Sequence, residues 1–325
     1  MVIEFFKSIG EKLLEEPALK AKRLPTLYPS AASCRSDSNF GTTSIGDVQG
    51  ACNRAQWYRI KEYAESDPAG LYSQYIFAAG VMWEKWIIEQ TKLNGWYYTS
   101  NYKWSIPEYY LSGEIDIAIR DPETHEIIIV ESKTYSSANY QAKVDLLGMP
   151  ARGGVTRVPM PKVQNVLQAA LYLYYFGKPE NGGVKRVLLT YFDRSCGGPE
   201  NNQEFWISFN PESEGVTRIH IDCKDIKGNS HSYDMPGVSI EGVFARYKEL
   251  LDHLVSGAEE APKPDYEHVY NDEKVIRLYE AGEIAETKYK AWSKDKVKNP
   301  IGDWQCSYCN YKTLCKQQKE EEGYN

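Results

Sequence analysis

Histidine is scarce in this chain of 325 residues, and the five present (His125, His220, His231, His253 and His268) are scattered. No HExxH or HxH pair occurs, so histidine-based metal chemistry is not expected. Long apolar runs are also missing: none approaches the roughly 18–20 residues that cross a bilayer. Glu4, Lys7, Glu11, Lys12, Glu15 and Glu16 interrupt residues 1–20, which excludes a secretory h-region there. A P-loop, a GxGxxG turn after a strand and a GxSxG elbow are all absent. Cysteine is modest and odd in number, at seven, with no spacing that reads as a disulfide framework. The expectation is a soluble cytoplasmic chain in a reducing compartment, with no membrane partner. Its net charge of −7 argues against indiscriminate coating of nucleic acid, although local patches matter more than the sum.

What is there is enough for a large core: 42% hydrophobic residues, with 25 Tyr, nine Phe and eight Trp. Residues 1–24 have the charge and apolar spacing of an amphipathic helix ended by Pro25. Helices are predicted over 47–64, 71–93, 163–176 and 237–257, and strands from about Tyr97, over 184–193 and over 204–209.

The most informative stretch is 111–135. Residues 113–120 (GEIDIAIR) alternate as a half-buried strand does, 121–125 (DPETH) supply turn chemistry, and 127–133 (IIIVESK) form a second strand. Alternation places Glu131 and Lys133 on one face, and hairpin pairing can bring Asp116 opposite Glu131. Two carboxylates and an ammonium at a sheet end suit phosphodiester hydrolysis. The carboxylates can hold Mg²⁺ or Mn²⁺, with the Ser132 carbonyl as a further ligand, and Lys133 can orient water and offset developing charge. An ExK on a strand is also a common surface salt bridge, so the hairpin alone leaves both readings open.

With the helix that follows, the sequence resembles the PD-(D/E)XK nuclease superfamily and its RecB-like branch, which places a Gln and a Tyr four residues apart after the ExK strand. Gln168 and Tyr172 fit that pattern and share a helical face; the resemblance implies that they contact DNA or the attacking water. The branch commonly carries a Gly-xxx-His on the preceding helix. This chain has Gly80-Val-Met-Trp-Glu84, making Glu84 the corresponding metal ligand.

Cys306, Cys309 and Cys315 crowd the C-terminal region and need a fourth ligand, for zinc or for a [4Fe-4S] cluster. RecB-like nucleases with an iron–sulfur cluster, among them the CRISPR adaptation nucleases and AddB-type subunits, place one Cys, in a Cys-x-Arg context, before the core and three after it. Cys52-Asn-Arg54 matches that context, with Cys34 as its rival; Cys196 and Cys223 read as bystanders. The resemblance, rather than the thiols, favours iron–sulfur over zinc.

The expected fold is α/β: a restriction-endonuclease-like mixed central sheet flanked by helices, with an iron–sulfur subdomain made by both chain ends. The expected division is 1–95 (helical, one cluster Cys), 96–193 (nuclease core), 194–285 (insertion) and 286–325 (cysteine cluster). Lys143, Arg152, Arg157 and Lys162, opposed by Asp145, form a basic DNA-binding stretch after the ExK strand. A second basic stretch spans 285–300. The resemblance implies a DNA exonuclease acting on single-stranded ends, 5′ to 3′, in recombination, repair, phage DNA processing or CRISPR adaptation, with a homo-oligomer or a partner from those pathways. Two alternatives stand beside it: a silent DNA-end-binding accessory subunit and a zinc-stapled nuclease acting on RNA.

Overall fold

The computed structural model describes residues 41–42, 48–49, 52–106, 108, 111–149, 158–195, 199–210 and 217–321. The helix expected over 1–24, together with Cys34, Arg152, Arg157 and Cys196, lies outside the described residues. The described residues fall into two compact units, one within Gly70–Lys248 and one from parts of Ser36–Ala69 and Glu249–Asn325.

In chain order, the second unit begins with the short strands β1 (Gly41–Thr42) and β2 (Val48–Gln49) and helix α1 (Asn53–Ile60). The first unit then runs through α2 (Leu71–Leu93), β3 (Tyr97–Ile106), β4 (Leu111–Arg120), β5 (Ile127–Tyr135), α3 (Tyr140–Leu147) and α4 (Val163–Phe176). It continues with β6 (Arg186–Asp193), β7 (Gln203–Asn210), β8 (Arg218–Lys224), β9 (Ser230–Ser239) and the start of α5 (Ile240–Val255).

Strands β3 to β9 form one seven-stranded sheet in sequential order. All neighbours are antiparallel except β5 and β6, which are parallel. A parallel pair needs a crossover, and α3 and α4 supply it. Alternation gives the sheet two different faces. Ile117 and Val130 pack with Ile87 and Ile88 of α2 on one face. On the other lies α4, whose Val166, Leu167, Ala169, Ala170 and Leu171 are all fully buried. A helix that is apolar on nearly every side belongs inside a core.

Between β4 and β5, Asp121 Oδ1 accepts from the Glu123 and Thr124 N–H groups at 2.9 and 2.8 Å, closing the turn read from the sequence. Helices α2 and α4 have the expected bounds. Two expectations need correcting. The helix expected over 47–64 is confined to Asn53–Ile60, because Val48–Gln49 pairs as a strand and Glu62 turns left-handed. That expected over 237–257 starts at Ile240, since Ser239 still pairs with Arg218. Within 194–285, β7, β8 and β9 extend the central sheet.

The second unit contains α1, α6 (Asp272–Glu280), α7 (Glu286–Lys294), α8 (Trp304–Ser307) and α9 (Lys312–Glu321). One core joins Trp57, Tyr58 and Ile60 to Leu250, Tyr311 and Cys315; a smaller one gathers Val275, Ile284, Trp292 and Ile301. Arg54, fully buried, explains the Cys-x-Arg pattern structurally. Its Nε donates to the Tyr58 hydroxyl at 2.7 Å and its Nη2 to Gln318 Oε1 at 3.3 Å, tying α1 to α9.

Candidate active site

The β4–β5 ladder pairs Arg120 with Ile127 and ends at Ile117 with Val130. Continuing that register by one step sets Asp116 across from Glu131, on the face covered by α4. Beyond that point the strands part company. Residues 111–115 of β4 pair with β3, whereas residues 131–135 of β5 pair with β6. At the fork, the Asp116 Oδ2 accepts from the Ser132 N–H at 3.4 Å.

Both carboxylates are buried, Asp116 at 4% exposure and Glu131 at 0%. Glu131 sits in a closed ring of hydrogen bonds. Lys133 Nζ donates to Glu131 Oε1 and, at 2.9 Å, to Gln168 Oε1. Gln168 Nε2 donates to the Tyr172 hydroxyl at 2.7 Å, and that hydroxyl donates to Glu131 Oε2 at 3.0 Å. The Glu114 carbonyl lies 3.2 Å from the same hydroxyl. Gln168 and Tyr172 are as buried as the carboxylates. Both ends of the Gln168 amide and the Tyr172 phenol are bonded within the ring that joins Lys133 and Glu131. A carboxylate has about four lone-pair positions, so Glu131 keeps capacity for a cation while both its oxygens are bonded.

Trp104, which the sequence reading missed, completes the support. It is paired with Gly113 across β3 and β4, and a Cβ at Gly113 would come within 2.8 Å of its indole. The ring packs edge-on against Tyr172 with centroids 5.9 Å apart. The Gly-x-x-Asp spacing is the visible signal: glycine leaves room for the indole that backs Tyr172.

Glu84 behaves differently. It lies on α2, whose Ile87 and Ile88 cover the opposite sheet face, and it accepts from Asn101 Nδ2 at 3.2 Å. Among the described residues no three His, Cys, Asp or Glu side chains form a group able to hold one metal ion. Glu84 thus does not complete a three-carboxylate set with Asp116 and Glu131.

The structure describes two of the four expected DNA contacts: Lys143 is half-buried on α3, and Lys162 is exposed before α4. In the second basic stretch, Lys290 pairs with Glu286 at 2.7 Å, Lys298 with Asp295 at 3.6 Å, and Lys296 with Asp272. Those partners offset part of the charge the stretch would offer to phosphate.

In the second unit, Cys52, Cys306, Cys309 and Cys315 line one cavity of about 30 Å³. Cys52 is the N-cap of α1, Cys306 lies in α8 and Cys315 in α9. Burial, then Asp265, pushes the Cys52 thiol up to about 11. Burial, then Cys52 and Asp303, raises Cys306 further. Cys223 lies in β8 of the first unit, and its thiol is raised to about 11 chiefly by burial.

A sequence model of the PD-(D/E)XK nuclease superfamily matches residues 35–316. The chain belongs to that superfamily. The PD-(D/E)XK match spans both the forked hairpin and the C-terminal cysteines; membership suggests a nuclease and implies DNA as substrate, and nucleases of this superfamily typically use Mg²⁺ or Mn²⁺. No curated protein and no solved structure matches the chain. No described helix is long and apolar enough to cross a membrane.

Proposed function

We propose that the protein is a divalent-metal-dependent DNA exonuclease acting on single-stranded ends. The observation that carries the reading is the ring joining Lys133, Glu131, Tyr172 and Gln168 beside Asp116. A surface salt bridge needs no such support; a catalytic carboxylate and ammonium held within fractions of an ångström do.

Asp116 and Glu131, with the Ser132 carbonyl, would hold the ion, and their hard oxygens fit Mg²⁺ or Mn²⁺. When bound, the ion supplies Lewis acidity toward phosphate oxygens and acidifies water. Lys133 places a fixed positive charge where negative charge builds on the phosphate, and it holds a proton donor toward the reacting centre. Gln168 and Tyr172 are positioning residues that fix both partners. Preference for single strands and for ends rests on the resemblance to RecB-like nucleases, as does a role in recombination, repair, phage DNA processing or CRISPR adaptation.

The four thiols of the second unit would hold a [4Fe-4S] cluster. Supporting this, Cys52, Cys306, Cys309 and Cys315 line one cavity. Four thiols could equally hold a single zinc; the resemblance to the RecB-like nucleases with an iron–sulfur cluster favours the cluster.

The test compares end-labelled linear and circular single-stranded DNA, with Mn²⁺, for anaerobically purified wild type and Lys133→Ala. Degradation of the linear substrate alone, lost in the variant, supports the reading. Cleavage of circles overturns exonuclease action. End binding without cleavage under any divalent ion leaves the accessory-subunit alternative.

A further inference from the structure

His268 belongs to no motif in the sequence, yet its backbone is pinned from several sides. The Tyr270 N–H donates to the Ile301 carbonyl at 2.7 Å and the Asp303 N–H to the Glu267 carbonyl at 2.9 Å. The Asp303 carboxylate accepts from the Glu267 N–H at 2.7 Å and from the Tyr270 hydroxyl at 2.6 Å. Gly302 approaches so closely that a Cβ there would lie 2.1 Å from the His268 carbonyl oxygen, an approach only glycine permits. These contacts hold residues 267–270 against the segment that leads into Cys306.

The result is that the imidazole stands in the wall of the cavity lined by Cys52, Cys306, Cys309 and Cys315. Both ring nitrogens are buried there, and among the described residues neither has a hydrogen-bond partner. Gln305 Oε1, in the same wall, is also buried without one. Buried polar atoms are almost always partnered, and a cluster of orphans marks a place where a bound group completes the bonding. In either charge state an imidazole carries at least one N–H, so the wall offers a donor to the space the thiols enclose. Four thiols already fill the ligand positions of a cluster, which leaves the imidazole a role other than ligation.

We propose that His268 donates a hydrogen bond to the sulfurs of an iron–sulfur cluster held by Cys52, Cys306, Cys309 and Cys315, and thereby sets its reduction potential. The inference rests on the cluster reading given above. An N–H donated to a sulfide or thiolate sulfur stabilises the reduced, more negatively charged cluster and raises its potential. His268 is a tuning residue for the second unit and has no part in the ring around Glu131.

The experiment reconstitutes the full-length wild type, His268→Leu and His268→Asn anaerobically with iron and sulfide. It measures iron and sulfide per chain, the visible spectrum, the midpoint potential by redox titration, and the melting temperature of each metal-free protein. Expected are equal iron and sulfide in all three, a more negative potential in His268→Leu, and partial return in His268→Asn, whose amide restores a donor. Equal potentials in all three overturn the inference and leave the cluster reading standing. Loss of iron from both variants, with metal-free melting unchanged, overturns it in favour of a ligand. Failure of the wild type to take up iron and sulfide overturns the cluster reading itself and is separable from the other outcomes.

Discussion

Tyr172 donates its phenolic proton to Glu131 Oε2 at 3.0 Å, joining the C-terminal half of α4 to the middle of β5 in a fully buried contact. Lys133 occupies the other oxygen, so the carboxylate is held from both sides. Hydrogen bonds to charged groups contribute about 1.5–3 kcal/mol each, and the ring closes through Gln168.

Tyr172→Phe removes the donor to Glu131 and the acceptor of Gln168 Nε2 while keeping the ring against Trp104. Cleavage is expected to slow by about tenfold to a hundredfold, the rate equivalent of roughly 1.5–3 kcal/mol, with the fold intact by circular dichroism. An unchanged rate in single-turnover assays would exclude the positioning role.

Lys133→Ala leaves Glu131 buried without its ammonium. Breaking a buried pair from one side costs on the order of 3–5 kcal/mol; Lys133 retains 14% exposure, so a loss toward the lower end is expected in urea melts, with cleavage abolished. Lys133→Arg should not restore activity, because the planar guanidinium cannot replace a compact ammonium between Glu131 and Gln168.

Gly113→Ala sets a methyl 2.8 Å from the Trp104 indole. Overpacking of this kind costs about 1–3 kcal/mol. A lower melting temperature, altered tryptophan fluorescence and slower cleavage should appear together, since the indole backs Tyr172.

Asp193 has a pH signature. Burial alone would raise its carboxyl, but donors from Ser137 and Ser195 outweigh it and lower the pKa from 3.8 to about 2. A depressed pKa stabilises the fold above the unfolded value, and that contribution fades as pH falls from about 4 to about 2. Asp193→Asn should therefore cost about 2 kcal/mol at pH 7, with the difference from wild type shrinking in acid denaturation curves at the low end of that window.

Chelation of divalent ions is expected to stop cleavage reversibly, with Mn²⁺ restoring it. Asp116→Asn should weaken Mn²⁺ binding in calorimetry while iron bound by the second unit stays unchanged, because the carboxylates and the four thiols belong to different units.

The hairpin was legible because its signals are local. Alternation over 113–120, a turn at Asp121 and a second strand ending in Glu-x-Lys fix which residues share a face, and the register follows from turn length. The pairing of Gln168 with Tyr172 was equally plain, since one helical turn separates them. Sequence alone thus determined the two carboxylates, the ammonium and the helix that answers them. Tertiary structure decided what that helix meets: Gln168 and Tyr172 turn inward because α4 is buried on nearly every side, which brings them to Lys133 and Glu131. It also placed Ile87 and Ile88 of α2 over the sheet face opposite Asp116, and brought His268 to the cysteines across a separation no periodic pattern spans. Periodicity encodes the face of one element, whereas contacts between distant elements are set by how their buried faces pack.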